Sequence, residues 1–313
     1  MPAVEIREVT KTYGRHVAVD DLSLDVPEGT IYGFIGPNGS GKTTTLRMIM
    51  RILHPDQGTI RVLGEDATTS SAASDRVAYL PEERGLYKQM KVRDVLKFYA
   101  RIKGMRDPKP EIDSWLERMG LSAWADKKVQ ALSKGMAQKV QFIATVVARP
   151  RLVLLDEPFS GLDPVNGEVL RQAVLNLKQE GATVIFSTHD MAVAEKMCDV
   201  LFMIYKGKKV LDGTLESIQD AYGEDTLRVR LGGDGGSLDG LPGVSHIADF
   251  GRYRELRLNR GADSQQVLSA LIERGEVRHF ELARPSLHDI FVRIAGADAY
   301  ENYPSDAQEV ARA

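Results

Sequence analysis

The run Gly36-Pro37-Asn38-Gly39-Ser40-Gly41-Lys42-Thr43 has the residue types and spacing needed to grip a phosphate chain. Its glycines let the backbone curl tightly, so that successive N–H groups point inward at phosphate oxygens, and a helix opening behind it adds partial positive charge. In such a loop Lys42 reaches the β- and γ-phosphates as a mobile charge, and the Thr43 hydroxyl is placed to coordinate Mg²⁺.

Binding alone is not hydrolysis, which needs a second metal-site residue and a group that activates water. Arg151-Leu152-Val153-Leu154-Leu155-Asp156-Glu157-Pro158 supplies both, as an apolar strand ending in two consecutive carboxylates. Asp156 would hold Mg²⁺, directly or through water, and Glu157 would polarise the attacking water as general base.

These groups need a scaffold, and the hydrophobic pattern provides one. Ile31 to Ile35 reads as a buried strand entering the loop, and Thr44 to Leu53 reads as the helix leaving it. Val4 to Val9, Leu22 to Val26, Thr59 to Leu63 and Val77 to Leu80 read as further strands. From Val92 to Ala148 the pattern turns helical: Val92, Val95, Leu96, Tyr99 and Ile102 share one face, Ile112 to Met119 follows, and a third helix opens near Ser133. Val153 to Leu155 and Val184 to Ser187 return to the short apolar runs found inside parallel sheets. After Glu216 the texture changes. Strands are predicted at Leu227 to Leu231, Glu255 to Leu258 and Val277 to Leu282, helices at Ser264 to Arg274 and Leu287 to Ile294, and a loop at Gly232 to Gly243. The fold class is therefore α/β with a helical insert, followed by a small α+β domain.

Composition narrows the options further. A chain of 313 residues with 43% hydrophobic and 27% charged residues has ample material for a folded core. Its formal net charge of −3 gives no basic excess for binding DNA or RNA. Cys198 is the sole cysteine, which excludes an intrachain disulfide, fits a reducing compartment and reads as a small buried apolar residue. Met1 to Val9 has no apolar core of the signal-peptide kind, and no apolar run approaches the roughly 20 residues of a membrane span. Any work at a membrane would require a docking partner.

Leu132-Ser133-Lys134-Gly135-Met136 resembles the short signature of ATP-binding cassette (ABC) ATPases, and it precedes the Asp156-Glu157 strand at that family's usual separation. It departs from the commonest form, which has Gly third and Gln fifth, but keeps the Ser and the Gly. By itself Leu-Ser-x-Gly is a helix N-cap. In the family's context Ser133, Gly135 and the amides that follow open a helix and form a second anion site. Other positions match one at a time. Tyr13, in Lys11-Thr12-Tyr13-Gly14, resembles the aromatic that stacks on adenine. Ser160-Gly161-Leu162-Asp163 is similar to the loop that makes contacts across the family's dimer. His189, in Phe186-Ser187-Thr188-His189-Asp190, matches the histidine that contacts the γ-phosphate and holds the water. Glu82 stands where most members have a Gln; a carboxylate there can face Mg²⁺ or water, but it adds negative charge beside the γ-phosphate. Glu82-Glu83-Arg84-Gly85-Leu86-Tyr87 and Arg284-Pro285-Ser286-Leu287-His288-Asp289-Ile290-Phe291 resemble the ABC-2-type exporter ATPases that carry a C-terminal accessory domain.

The resemblance implies a P-loop NTPase core over residues 1–220 with a helical subdomain at about 84–150, an accessory domain over 221–296 and a disordered tail at 297–313. It implies ATP and Mg²⁺ as ligands. Gly36, Pro37, Asn38, Gly39, Ser40, Gly41, Lys42, Thr43 and Thr44 would contact nucleotide, Thr43, Asp156 and Glu82 the metal, and Lys42, Glu157 and His189 would act in catalysis. A signature site on the helical insert cannot reach its own phosphate loop, so two copies would pair head to tail, each covering the ATP of the other. The expected role is the ATPase subunit of an exporter, on the cytoplasmic face of the cell membrane through a separate transmembrane permease. A soluble ABC ATPase acting on ribosomes or DNA is the alternative. Ribosomal members resemble two cassettes in one chain, whereas this chain has one phosphate loop, and DNA-repair members carry long coiled coils of which no heptad run appears here.

Overall fold

Alternating apolar and polar residues lay down two long strands at the start of the chain, β1 (Pro2–Tyr13) and β2 (His16–Pro27), paired antiparallel. The chain then enters β3 (Ile31–Ile35), in which every residue is buried. Helix α1 (Lys42–Ile49) follows, then β4 (Gln57–Val62), β5 (Glu65–Asp66) and β6 (Val77–Leu80). Three helices come next: α2 (Val92–Ile102), α3 (Lys109–Arg118) and α4 (Lys134–Val146). Beyond them lie β7 (Leu152–Asp156), α5 (Pro164–Gln179), β8 (Thr183–Thr188), α6 (Met191–Met197), β9 (Val200–Tyr205) and β10 (Lys208–Gly213). The computed structural model describes residues 1–67, 74–83, 85–222, 226–232, 238–249, 251, 253–259 and 261–296. The tail at 297–313, Arg84 and the middle of the Gly232–Gly243 loop lie outside those residues.

The chain divides into two compact units, Met1–Thr214 and Leu215–Ala313. In the first unit the central sheet runs β10-β9-β3-β8-β7-β6, with β9, β3, β8, β7 and β6 parallel and β10 antiparallel at one edge. A second sheet, β2-β1-β4-β5, is antiparallel. The fully buried run of β7 splits by side-chain alternation. Leu152 and Leu154 pack with Phe34, Leu46 and Ile60 on the side of α1 and the antiparallel sheet, while Val153 and Leu155 pack with Phe142, Val174 and Phe186 on the side of α4 and α5. Covering both faces excludes water from the strands that carry the site. Cys198 packs against Gly33, where a Cβ would come within 2.5 Å of its sulfur, and burial pushes its thiol pKa up.

Register then fixes where the chemistry goes. Ile35 lies beside Thr188, Asp156 beside Ser187, and Leu80 beside Leu155. Because these strands are parallel, their carboxyl ends open on one edge of the sheet, so the loop after β3, the carboxylates after β7, His189 after β8 and Glu82 after β6 converge there.

The second unit contains α7 (Leu215–Tyr222), β11 (Thr226–Leu231), β12 (Val244–Asp249), β13 (Arg254–Leu258), α8 (Ser264–Arg274), β14 (Val277–Ala283) and α9 (Leu287–Ala295). Its antiparallel sheet runs β12-β13-β11-β14 and packs Leu227, Val229 and Leu256 against Val267 and Leu271 of α8. A capping box, in which Ser286 and Asp289 each satisfy the other's backbone N–H, opens α9.

Candidate active site

The phosphate loop leaves β3 at Gly36 and ends in the first turn of α1, whose N-cap is Gly41 at φ 114°. Close packing demands two of its glycines. A Cβ at Gly36 would lie 2.2 Å from the Ile204 carbonyl oxygen, and one at Gly41 would lie 2.4 Å from that of Ala18. The loop is thus wedged between β9 and β2, which fixes its curl before any ligand arrives.

Lys42 is almost wholly buried. Its ammonium donates to the Gly36 carbonyl at 2.7 Å and to the Pro37 carbonyl at 3.0 Å, and lies 4.0 Å from Oε1 of Glu157. Burial pushes its pKa down, against the pull of the Glu157, Asp156 and Glu82 carboxylates. Ser40 Oγ, also buried, has no hydrogen-bond partner among the described residues. A cavity of about 350 Å³ opens over the loop, with Asn38, Gly39 and Lys42 to Thr44 in its floor and Tyr13, Glu82 and Glu157 in its walls. Tyr13 is half exposed at the rim. His16 and Ala18 also line the cavity, and sequence reading gave no sign of either.

Asp156 is fully buried and accepts from three hydroxyls. Thr43 Oγ1 donates to Oδ1 at 3.0 Å, Ser187 Oγ donates to the same oxygen at 2.6 Å, and the Tyr79 hydroxyl donates to Oδ2 at 3.1 Å. Glu157 follows in left-handed backbone, φ 48°, with its N–H held by Ser187 Oγ at 3.0 Å. This turn swings the Glu157 side chain out of the strand direction and toward the cavity, where Oε1 meets His189 Nδ1 at 3.0 Å. With Glu157 ionised, Nδ1 carries the proton and donates it to that bond. Burial raises the Glu157 pKa, and the hydrogen bond and charge of His189, then Lys42, oppose the rise. A base of raised pKa beside a cation and an imidazole is suited to taking a proton from water.

The remaining sequence-predicted residues lie elsewhere. Ser133 caps α4, accepting the Met136 N–H at 3.3 Å, and Asp163 caps α5, accepting from Val165 and Asn166. Gly135 faces Asn166 and Leu162, where a Cβ would stand 3.0 Å from Asn166 Nδ2. None of the three lines the cavity over the phosphate loop of its own chain.

The cavity fits a nucleotide with its metal. The loop offers a curled backbone, a buried ammonium and an orphaned Ser40 hydroxyl to an anion. Among the described residues no group of three or more His, Cys, Asp or Glu side chains is placed to hold a metal alone. Thr43 with Asp156 is instead a sparse oxygen pair of the kind that suits a Mg²⁺ ion shared with substrate phosphates.

Geometry of this kind places the chain among the P-loop nucleotide-binding ATPases. Comparison with known proteins narrows the class. The ABC transporter family model matches residues 19–160, and the model for the C-terminal domain of DrrA1-3-like ATP-binding proteins matches residues 213–295. An uncharacterized ABC transporter ATP-binding protein of Bacillus subtilis, YhaQ, is 43% identical over 294 residues, 93% of this chain and 98% of that one. Nod factor export ATP-binding protein I of Mesorhizobium japonicum is 33% identical over 305 residues, 96% of this chain and 88% of that one. A solved ATP binding subunit of an ABC transporter superposes with a TM-score of 0.66 at 29% identity, over 70% of this chain and 93% of that one. The chain belongs to the ABC transporter ATP-binding proteins, a family of ATP-hydrolysing subunits. Among its described residues no helix is long and apolar enough to cross a membrane.

Proposed function

We propose that the chain hydrolyses ATP as a head-to-tail homodimer and drives export through a separate transmembrane permease, docked on the cytoplasmic face of the cell membrane. The observation that carries the chemical part is the Glu157 carboxylate, held 3.0 Å from His189 Nδ1 and 4.0 Å from Lys42 Nζ at the wall of the phosphate-loop cavity. Lys42 and the loop from Gly36 to Thr44 bind the phosphates, and Tyr13 stacks on the adenine. Thr43 and Asp156, with Glu82 from the cavity wall, would hold Mg²⁺, which when bound would neutralise phosphate charge. Glu157 takes the proton of the attacking water while His189 fixes the carboxylate and the water.

Ser133, Gly135 and Asp163 act on the other copy's nucleotide, a reading supported by their absence from the lining of their own chain's cavity. ATP then joins the two copies, and hydrolysis releases them, a ligand-driven shift that a membrane partner can use. Similarity to a Nod factor export ATP-binding protein over nearly the full chain supports export as the direction. The division into residues 1–220 as cassette and 221–296 as accessory domain is part of the same proposal.

Glu157→Gln tests it. The variant is expected to bind ATP normally, to lose turnover and to run as an ATP-dependent dimer in light scattering. Near-normal hydrolysis would remove Glu157 from the base role, and an ATP-loaded monomer would overturn the dimer.

A further inference from the structure

Tyr79 belongs to β6 and pairs with Leu154 of β7, two residues before the metal carboxylate. Its hydroxyl donates to Asp156 Oδ2 at 3.1 Å, on the opposite carboxylate oxygen from Thr43 and Ser187. The Arg47 guanidinium, on α1, hydrogen-bonds the same phenol. A guanidinium has no acceptor, so Arg47 donates to the Tyr79 oxygen and the phenolic proton is left to point at Asp156. Four elements therefore meet on one buried carboxylate: β7, which carries it, and α1, β6 and β8, which supply Thr43, Tyr79 and Ser187.

We propose that Tyr79 is a positioning residue for the metal site, with Arg47 orienting its hydroxyl. A carboxylate held on Oδ1 alone can still turn about its Cβ–Cγ bond. A donor on Oδ2 stops that rotation and keeps Oδ1 against the Thr43 hydroxyl, whose lone pairs stay free for the metal. Neither residue belongs to the phosphate loop or to the carboxylate pair, and neither touches the nucleotide cavity. The inference rests on the reading of Thr43 and Asp156 as the Mg²⁺ site, and it predicts an effect on metal-dependent binding that is separate from turnover.

The test is calorimetric binding of a non-hydrolysable ATP analogue to the full chain, with Mg²⁺ and in EDTA. Tyr79→Phe is expected to leave the EDTA affinity unchanged and to cut the Mg²⁺-supported affinity about tenfold, the low end for one charge-assisted hydrogen bond because Asp156 keeps two donors. Arg47→Met, on an exposed helix position, is expected to give a smaller loss of about two- to threefold in Mg²⁺ alone. Wild-type Mg²⁺ enhancement in Tyr79→Phe, or an equal loss in EDTA and Mg²⁺, overturns the assignment. Should Tyr79→Phe fail to fold, an unchanged enhancement in Arg47→Met does so instead. Should the wild type gain nothing from Mg²⁺, the metal reading itself falls and the assignment with it, an outcome distinct from the other two.

Discussion

Replacing Ser187 by alanine isolates the contact that ties the two carboxylates together. Ser187 is fully buried; its hydroxyl donates to Asp156 Oδ1 at 2.6 Å and accepts the Glu157 N–H at 3.0 Å. That N–H also lies 3.2 Å from the Ser187 carbonyl, so the loss falls mainly on Asp156. A hydrogen bond to a charged group contributes about 1.5–3 kcal/mol, and Asp156 keeps Thr43 and Tyr79, so we expect a cost of about 2 kcal/mol. A second effect follows from the backbone. Left-handed φ at a non-glycine residue costs on the order of 1 kcal/mol, and Ser187 helps hold Glu157 there. With the Ser187 carbonyl as its one remaining N–H partner, Glu157 is held less firmly, and kcat is expected to fall on the order of ten- to a hundredfold while nucleotide affinity changes less. Urea unfolding followed by tryptophan fluorescence measures the first effect cleanly, because both tryptophans, Trp115 and Trp124, lie in the first unit. A stability within about 0.5 kcal/mol of the wild type together with an unaltered kcat would refute the reasoning.

Two further outcomes are expected. Lys42→Ala removes the buried ammonium and should lower ATP affinity by roughly a hundredfold; unchanged affinity by calorimetry would sink the cradle argument. Glu157→Gln should stabilise the fold near neutral pH, because burial raises the Glu157 pKa above its unfolded value and the ionised group therefore costs stability. That gain should shrink as pH falls through the raised pKa and vanish below the ordinary glutamate range, where both states are protonated; a pH-independent difference in Tm would contradict it.

Local pattern carried the parts of the fold that local physics dictates. The bounds predicted for β3, β6 and α8 coincide with those observed, and the residues placed on one helical face, Val92 to Ile102, span α2, since each is a continuous periodic run between clear breaks. The helix predicted to Leu53 stops at Ile49. Arg51 takes left-handed backbone at φ 60°, and the Arg51 and Ile52 amides bond back to the carbonyls of Met48 and Arg47. That is the usual helix stop with Arg in the glycine position, so no residue type announces it. Asp163-Pro164, by contrast, is an overt helix start, N-cap then proline, yet the resemblance assigns Asp163 to a loop with contacts across a dimer, and no helix is predicted where α5 lies. β9, β10 and β12 were also unpredicted. β12 has no fully buried residue, so its pattern barely alternates, and pairing alone makes it a strand.

The motif residues were legible because each stands in a short, spaced run. Their supports were not: Tyr79 lies 77 positions from Asp156 and Ser187 lies 31 from it, and only the β6-β7-β8 register brings them together. A phosphate loop can be read from spacing, whereas a carboxylate's donors depend on which strands neighbour it.

The same distinction separates the two ends of α4. Its first residues carry the family signature, capped by Ser133, and nothing in that motif points to the catalytic loops of the same chain. Yet Gln138 Nε2 donates to the Pro158 carbonyl at 3.2 Å, next to Glu157, and Gln141 Nε2 donates to the carbonyls of Glu83 at 3.1 Å and Pro81 at 3.4 Å, on either side of Glu82. The two glutamines are one turn apart, so a single face of the helix holds both carboxylate-bearing loops. A hydrogen-bonded helix of 13 residues, about 20 Å long, moves as a rod. In the proposed dimer, a shift imposed at Ser133 by the other copy's nucleotide would therefore have to carry these amides with it or break them. Because each bond ends on a backbone carbonyl, the linkage acts on the path of the loops and leaves their side chains free for substrate.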